Sequence, residues 1–231
     1  MARLAVAFND DVHRKQHLND VERIGEAESA ETAREVAGIL GADVIAVGDD
    51  IVASLRTLQT YDAVFNLCEG VRGIPRWEMN FAAALEMLGI PFTGCEPLAV
   101  AICTDKVLVK RLLGGAGIPV PRSGVLPAIV KPSREDAGLG IDAASIVFTE
   151  DELHARVAYV ETTYRQPALA EEYIDGREFN QSIYLDRVLP PGEVVFADSL
   201  APYERVVGWK AKWAAGSPED RATVNRTPAG V

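Results

Sequence analysis

The sequence predicts an α/β protein, with a parallel sheet covered on both faces by helices and then a second, mixed segment. Three observations predict it. Short, uniformly apolar runs alternate with helix-period stretches over the first ninety-odd residues, the pattern of strands buried on both faces. That pattern changes after Gly94. Beyond it, a strand ending in Lys131-Pro132 runs into a polar, glycine-containing loop instead of a crossover helix.

Each element follows in order. Residues 4–8 are a continuous apolar run, too short for the core of a secretory leader, and read as the first strand. Residues 19–40 read as a helix with Val21, Ile24, Val36, Ile39 and Leu40 on one side. Residues 44–47 are a second strand, 51–58 a short amphipathic helix and 63–67 a third strand. Residues 77–88 read as a helix closed by Gly89, and Pro91-Phe92 as a short fourth strand. Such a sheet binds ligands beyond the carboxyl ends of its strands.

After Gly94, helices over 97–102 and 104–113 stop at Gly114-Gly115-Ala116-Gly117, with Pro119 close behind. Residues 128–132 form a strand that ends at its proline. A loop over 133–142, a strand over 145–148, a helix over 150–164 and a strand over 168–173 follow. Residues 177–186 alternate Phe179, Gln181, Ile183 and Leu185 on one face, predicting a single half-buried antiparallel strand. The domain boundary is expected near residue 95, and no repeat or low-complexity stretch interrupts the chain.

Composition narrows the partners. Lys and Arg number 23 against 34 Asp and Glu in 231 residues, for a net charge of -11. A surface that acidic repels phosphate backbones and anionic lipid, so neither nucleic acid nor membrane is expected as a partner. No apolar run reaches membrane-spanning length. Cys68, Cys95 and Cys103 form no Cys-x-x-Cys pair. Without a leader, they read as reduced thiols of a cytoplasmic protein and as small core residues.

The familiar phosphate loops are missing. There is no Gly-x-x-x-x-Gly-Lys-Ser/Thr, and Asn9-Asp10-Asp11 stands where Gly-x-Gly-x-x-Gly would follow the first strand. A second kind of phosphate clamp is present. Lys131 ends an apolar strand and precedes Glu135-Asp136-Ala137-Gly138-Leu139-Gly140, whose backbone amides could close over phosphates. Taken alone, an ordinary surface lysine before a glycine turn explains this equally well. The run Glu171-Glu172-Tyr173-Ile174-Asp175-Gly176-Arg177-Glu178 could offer backbone groups and acids to an adenine and a ribose. Taken alone, solvated acids in a hairpin explain it better. Lys106 and Lys212 are unremarkable singly. His13 and His17, spaced i and i+4, read as part of a solvated loop rather than a metal pair.

Together, these segments carry a resemblance. Thr104-Asp105-Lys106, Ile129-Val130-Lys131-Pro132-Ser133, the glycine loop, Glu171-Glu172-Tyr173-Ile174 with Gly176 and Glu178, and Ala211-Lys212-Trp213 stand in order. Leu88-Gly89-Ile90-Pro91-Phe92-Thr93-Gly94 and residues 116–121 precede or interleave with them. From about Asp62 onward, the chain resembles the ATP-grasp ligases of the D-alanine–D-alanine ligase type.

The resemblance implies a pre-ATP-grasp domain over 1–95, the ATP-grasp lid and central subdomain over 96–186, and the start of a C-terminal subdomain over 187–231. That amounts to an incomplete ATP-grasp domain. It implies that Lys106 and Lys131 contact the phosphates of ATP while the loop at Gly138 and Gly140 closes over them. Glu171 would accept from the adenine amino group, the backbone of Glu172 and Ile174 would read the adenine edge, and Glu178 would hold the ribose. Lys212 would approach the γ-phosphate as the catalytic cation. The implied reaction joins a carboxylate to an amine through an acyl phosphate, on small amino-acid-like substrates, with a place in peptidoglycan synthesis. A homodimer is compatible with it.

The chain departs from the family where amino acids are normally met. Glu69-Gly70 replaces a histidine–glycine pair, Gly138 a lid serine and Trp213 a tyrosine. Family members also carry a later segment with an arginine and the Asp, Glu and Asn that bind magnesium. Mg2+ is therefore expected with ATP, while no metal ligand is assigned within these 231 residues. A nucleotide-binding module without catalysis is the rival expectation.

Overall fold

Strand β1 (Leu4–Asn9) lies between β2 (Asp43–Val47) and β3 (Ala63–Leu67), parallel to both. The computed structural model describes residues 2–10 and 29–230. Asp11, His13, His17 and the expected helical stretch 19–28 lie outside the described residues.

The two-residue period of β1 divides its side chains between two cores. Ala5 and Ala7 pack with Val47, Leu58, Val64, Phe81 and Leu85. Val6 and Phe8 pack on the other face with Ala33 and Ala37. Helix α1 (Ser29–Leu40) covers that second face. The expected stripe through Ile39 and Leu40 is corrected here, since Ile39 is 85% exposed. The buried pair is Ala33 and Ala37, one turn apart, whose small side chains seat the helix close to the sheet.

On the first face, α2 (Ile51–Leu58) is capped by the Asp50 carboxylate, which accepts from the Ala53 amide. Helix α3 (Glu78–Met87) buries Phe81, Ala82 and Leu85 and stops at Gly89, φ +66°. The fourth strand reduces to one parallel bridge, Val64 to Phe92, with Val64 N–H donating to Pro91 O. Two more helices follow, α4 (Pro97–Cys103) and α5 (Lys106–Gly115). Cys68 is buried, but Cys95 and Cys103 are exposed, contrary to the expected core positions.

The chain divides into two compact units, Met1–Ile118 and Pro119–Val231. The division does not coincide with the pattern change at Gly94, because α4 packs on α3 and α5 on α4.

In the second unit, β4 (Ala128–Pro132) runs antiparallel between β5 (Ile146–Val147) and a later strand, β6 (Ala168–Glu172). Helix α6 (Glu150–Tyr164) covers one face, with Val160 and Tyr164 against Ala128, Val130 and Val147. Thr149 starts this helix in a capping box with Glu152. The stretch 177–186 is not one strand. It splits into β7 (Glu178–Asn180) and β8 (Ile183–Tyr184), which turns at Leu185, φ +54°, into β9 (Arg187–Val188). Ile183 is 68% exposed, so the alternation marks a hairpin standing in solvent. Strands β10 (Gly192–Phe196) and β11 (Thr223–Arg226) complete an antiparallel sheet in the order β11-β10-β7. Between them lie the short helices α7 (Trp209–Trp213) and α8 (Pro218–Arg221). No helix among the described residues is long and apolar enough to cross a membrane.

Candidate functional site

The register of β4 and β6 sets the first pair of side chains. Ile129 faces Glu171 and Lys131 faces Leu169. Lys131 and Glu171 are therefore diagonal neighbours on the sheet face turned away from α6. Their charges meet, with Nζ to Oε1 at 2.7 Å and side chains only 20% and 9% exposed. Withdrawn from water, the pair attracts more strongly than at a surface, and losing either partner leaves the other charge uncompensated.

Two further charged residues, on a strand and a helix of the same unit, bear on this pair. Glu178, at the start of β7, is exposed as a residue, yet burial around its carboxyl pushes that group above the ordinary glutamate range. Lys212 and Lys131 pull in the opposite direction. Glu178 thus feels a cation from β4 and another from α7. Lys212 itself is an exposed residue of α7, whose Trp209 is buried.

The glycine loop is seated against this cluster. The loop, read from the sequence as polar, is anchored within the fold: Leu139 is buried, as are Ser133 and Glu135. Ser133 N–H donates to Pro167 O at 3.1 Å, and the Gln166 amide donates to Glu135 Oε1 at 2.7 Å. Gly138 has φ +81°, and a Cβ there would lie 2.9 Å from the Gly208 carbonyl carbon and 3.1 Å from Val207 O. Backbone rests on backbone, so only glycine fits. Trp213 Nε1–H donates to Ala137 O at 3.2 Å, tying the loop to the helical turn that carries Lys212. Gly140, φ +74°, lies against Pro132 and the Tyr164 ring.

At the end of β6 the sequence signals are spread more widely. The Glu172 carboxylate is held in a fork by Arg122, at 2.9 Å from Nε and 2.6 Å from Nη2. Its backbone N–H donates to Arg122 O at 2.8 Å, so that donor is committed within the fold. Ile174 lies just past the strand and is exposed. Arg177 forks to Glu193 at 2.6 and 2.8 Å, which holds the Glu193 carboxyl below its usual range. The sequence carries no signal for the Arg122–Glu172 and Arg177–Glu193 pairs. These pairings span 50 and 16 residues and come from the folded chain rather than any local motif.

Lys131, Glu171, Glu178 and Lys212 therefore belong with Gly138 and Gly140 in the second unit. Lys106 belongs to the first, as the residue opening α5 behind Asp105, whose carboxylate accepts from the Val107 and Leu108 amides. Also in the first unit, Asn9 ties the carboxyl ends of β1 and β3 together. It donates to Gly70 O at 2.8 Å and accepts from Glu69 N–H at 2.6 Å. Among the described residues, no group of three or more His, Cys, Asp or Glu side chains is placed to hold a metal ion. The site residues present do not fit a magnesium centre of their own.

No protein-family model matches the chain. Among curated proteins, it is 35% identical over 172 residues to an uncharacterised protein of Sinorhizobium fredii, covering 68% of this chain and 49% of that protein. It is 32% identical over 207 residues to the D-alanine–D-alanine ligase of Gluconobacter oxydans, covering 81% of this chain and 64% of the ligase. The chain thus spans from about half to somewhat under two thirds of the length of these relatives. Among solved structures, it matches a Bacillus anthracis D-alanine–D-alanine ligase complexed with ATP at a TM-score of 0.67 and 19% identity. That match covers 98% of this chain and 70% of the other, and it shows the fold.

Proposed function

Since this chain is an ATP-grasp relative of the D-alanine–D-alanine ligases over the stretch it spans, we propose that it binds ATP for carboxylate–amine ligation. In this reading the γ-phosphoryl group passes to a substrate carboxylate, releasing ADP and leaving an acyl phosphate. An amine then attacks the acyl carbon, the amide bond forms, and inorganic phosphate leaves. The carboxylate and amine belong to small, amino-acid-like molecules.

The roles follow from charge and position. Lys131 neutralises phosphate charge, and the loop at Gly138 and Gly140 covers the phosphates with backbone amides. Glu171 accepts from the adenine amino group, beside the backbone of Glu172 and Ile174. Glu178 accepts from the ribose hydroxyls. Lys212 approaches the γ-phosphate, where positive charge stabilises the transferring group. No step is assigned to a metal held by these residues.

One observation carries the reading. Lys131 pairs with Glu171 on the sheet, and the glycine loop that follows Lys131 rests its backbone on the segment that carries Lys212. With a net charge of -11 most of the surface repels an anion, so lysines placed beside a glycine loop are informative. Calorimetric titration with ATP tests it. Lys131→Ala should weaken binding by about 1.5–3 kcal/mol, the range for losing a charge-assisted contact. Equal affinities, or a parent chain that binds no ATP, would remove the reading.

A further inference from the structure

Helix α6 sends a single cation to the exit of the glycine loop. The Arg156 side chain is only 10% exposed. Its Nη2 donates to Gly140 O at 2.9 Å and to Ser145 Oγ at 2.8 Å, and pairs with Asp142 Oδ1 at 3.1 Å. Its guanidinium lies 4.7 Å above the centre of the Tyr159 ring. The peptide joining Gly140 to Ile141 is thereby held at both ends. Its carbonyl accepts from Arg156, and its N–H donates back to Gly138 O at 3.1 Å. Both glycines of the loop hang on that one peptide.

Stability alone explains the arrangement poorly. The Arg156 Nε–H is buried and has no acceptor among the described residues. A buried cation with an unmet donor costs free energy that an apolar side chain of similar shape would not. Asp142, its charge partner, is 58% exposed and returns little. What the arginine does achieve is to fix the backbone on which Gly138 and Gly140 depend.

We propose that Arg156 is a positioning residue for the triphosphate. It touches no nucleotide, and by holding the Gly140 carbonyl it keeps the loop amides directed at the phosphates. The proposal rests on the nucleotide reading above, in which this loop covers the phosphates.

The test compares the full chain with Arg156→Met and Arg156→Lys, titrating each with ATP and with adenosine. Arg156→Met should bind ATP roughly tenfold more weakly, the scale of one charge-assisted hydrogen bond, and adenosine unchanged. Arg156→Lys should recover part of the loss. Without ligand, the Ile141 amide should exchange its hydrogen faster in Arg156→Met than in the parent. Unchanged ATP affinity, equal losses for ATP and adenosine, or unchanged Ile141 exchange would each overturn the positioning role. A parent that binds neither ligand overturns the nucleotide reading and this proposal with it. A parent that binds ATP as well as its variant overturns the proposal alone. If Arg156→Met does not fold, Arg156→Lys decides, with a few-fold loss expected for ATP only.

Discussion

Glu178 carries a pH-dependent strain that a single substitution can expose. Its folded-state pKa is raised, chiefly by burial of the carboxyl, so the folded protein favours the protonated acid. The resulting stabilisation is full below the unfolded pKa of a glutamate and is lost as pH rises through the raised value. Above that, the ionised group opposes folding. Glu178→Gln should therefore be more stable than the parent at neutral pH, and the gap should close as the medium is acidified below the ordinary carboxylate range. Denaturant titrations at stepped pH measure it, and a gap that widens toward acid would reverse the assignment. The Lys131–Glu171 pair behaves differently. Lys131→Ala or Glu171→Ala alone should cost roughly 2 kcal/mol, the buried-pair range reduced for the residual exposure of Lys131. The double variant should cost less than the sum, because neither charge is then stranded. Additive losses in a double-mutant cycle would mean that the 2.7 Å contact carries no coupling.

At the scale of elements, the glycine loop and the helix after it separate function from stability. Gly138→Ala places a Cβ against the Gly208 and Val207 backbone at φ +81°, a strain of about 1–3 kcal/mol. Relief requires the loop to move, so ATP affinity should fall together with the melting temperature. Thr149→Ala removes the cap of α6 and should cost about 1 kcal/mol while leaving ATP affinity unchanged. A Gly138→Ala variant with parental affinity would detach the loop from the nucleotide. The same elements show what the sequence made readable. Helix α6 and strands β4 and β6 were legible because their periods, caps and proline stop are local signals. The order of Lys131, the glycine loop, Glu171, Glu178 and Lys212 was legible for the same reason. The stretch 177–186 was misread because its turn, at Leu185-Asp186, carries no glycine to announce it. The pairings of Arg122, Arg156 and Arg177 were not legible, since each finds its partner only once distant segments have folded together. On α1, hydrophobicity outvoted size: Ile39 drew the eye while Ala33 and Ala37 made the contact.

For the whole molecule, the relevant fact is that the two units bury separate cores. Ala5, Leu58, Phe81 and Leu85 belong to the first, and Val130, Val160 and Tyr164 to the second, with no buried residue shared. All three cysteines of the sequence lie in the first unit, two on its surface and one, Cys68, in its core. That distribution gives the protein a built-in chemical clock. Once Cys95 and Cys103 have been capped by a thiol reagent, any later mass increment must come from Cys68, and so from an opening of the first core alone. Phe81→Ala should hasten that second step. Val160→Ala should leave it at the parental rate, even where it lowers the overall melting temperature. Pulsed labelling read by mass spectrometry would thus time the unit that holds Lys106 separately from the unit that holds Lys131, with no engineered probe.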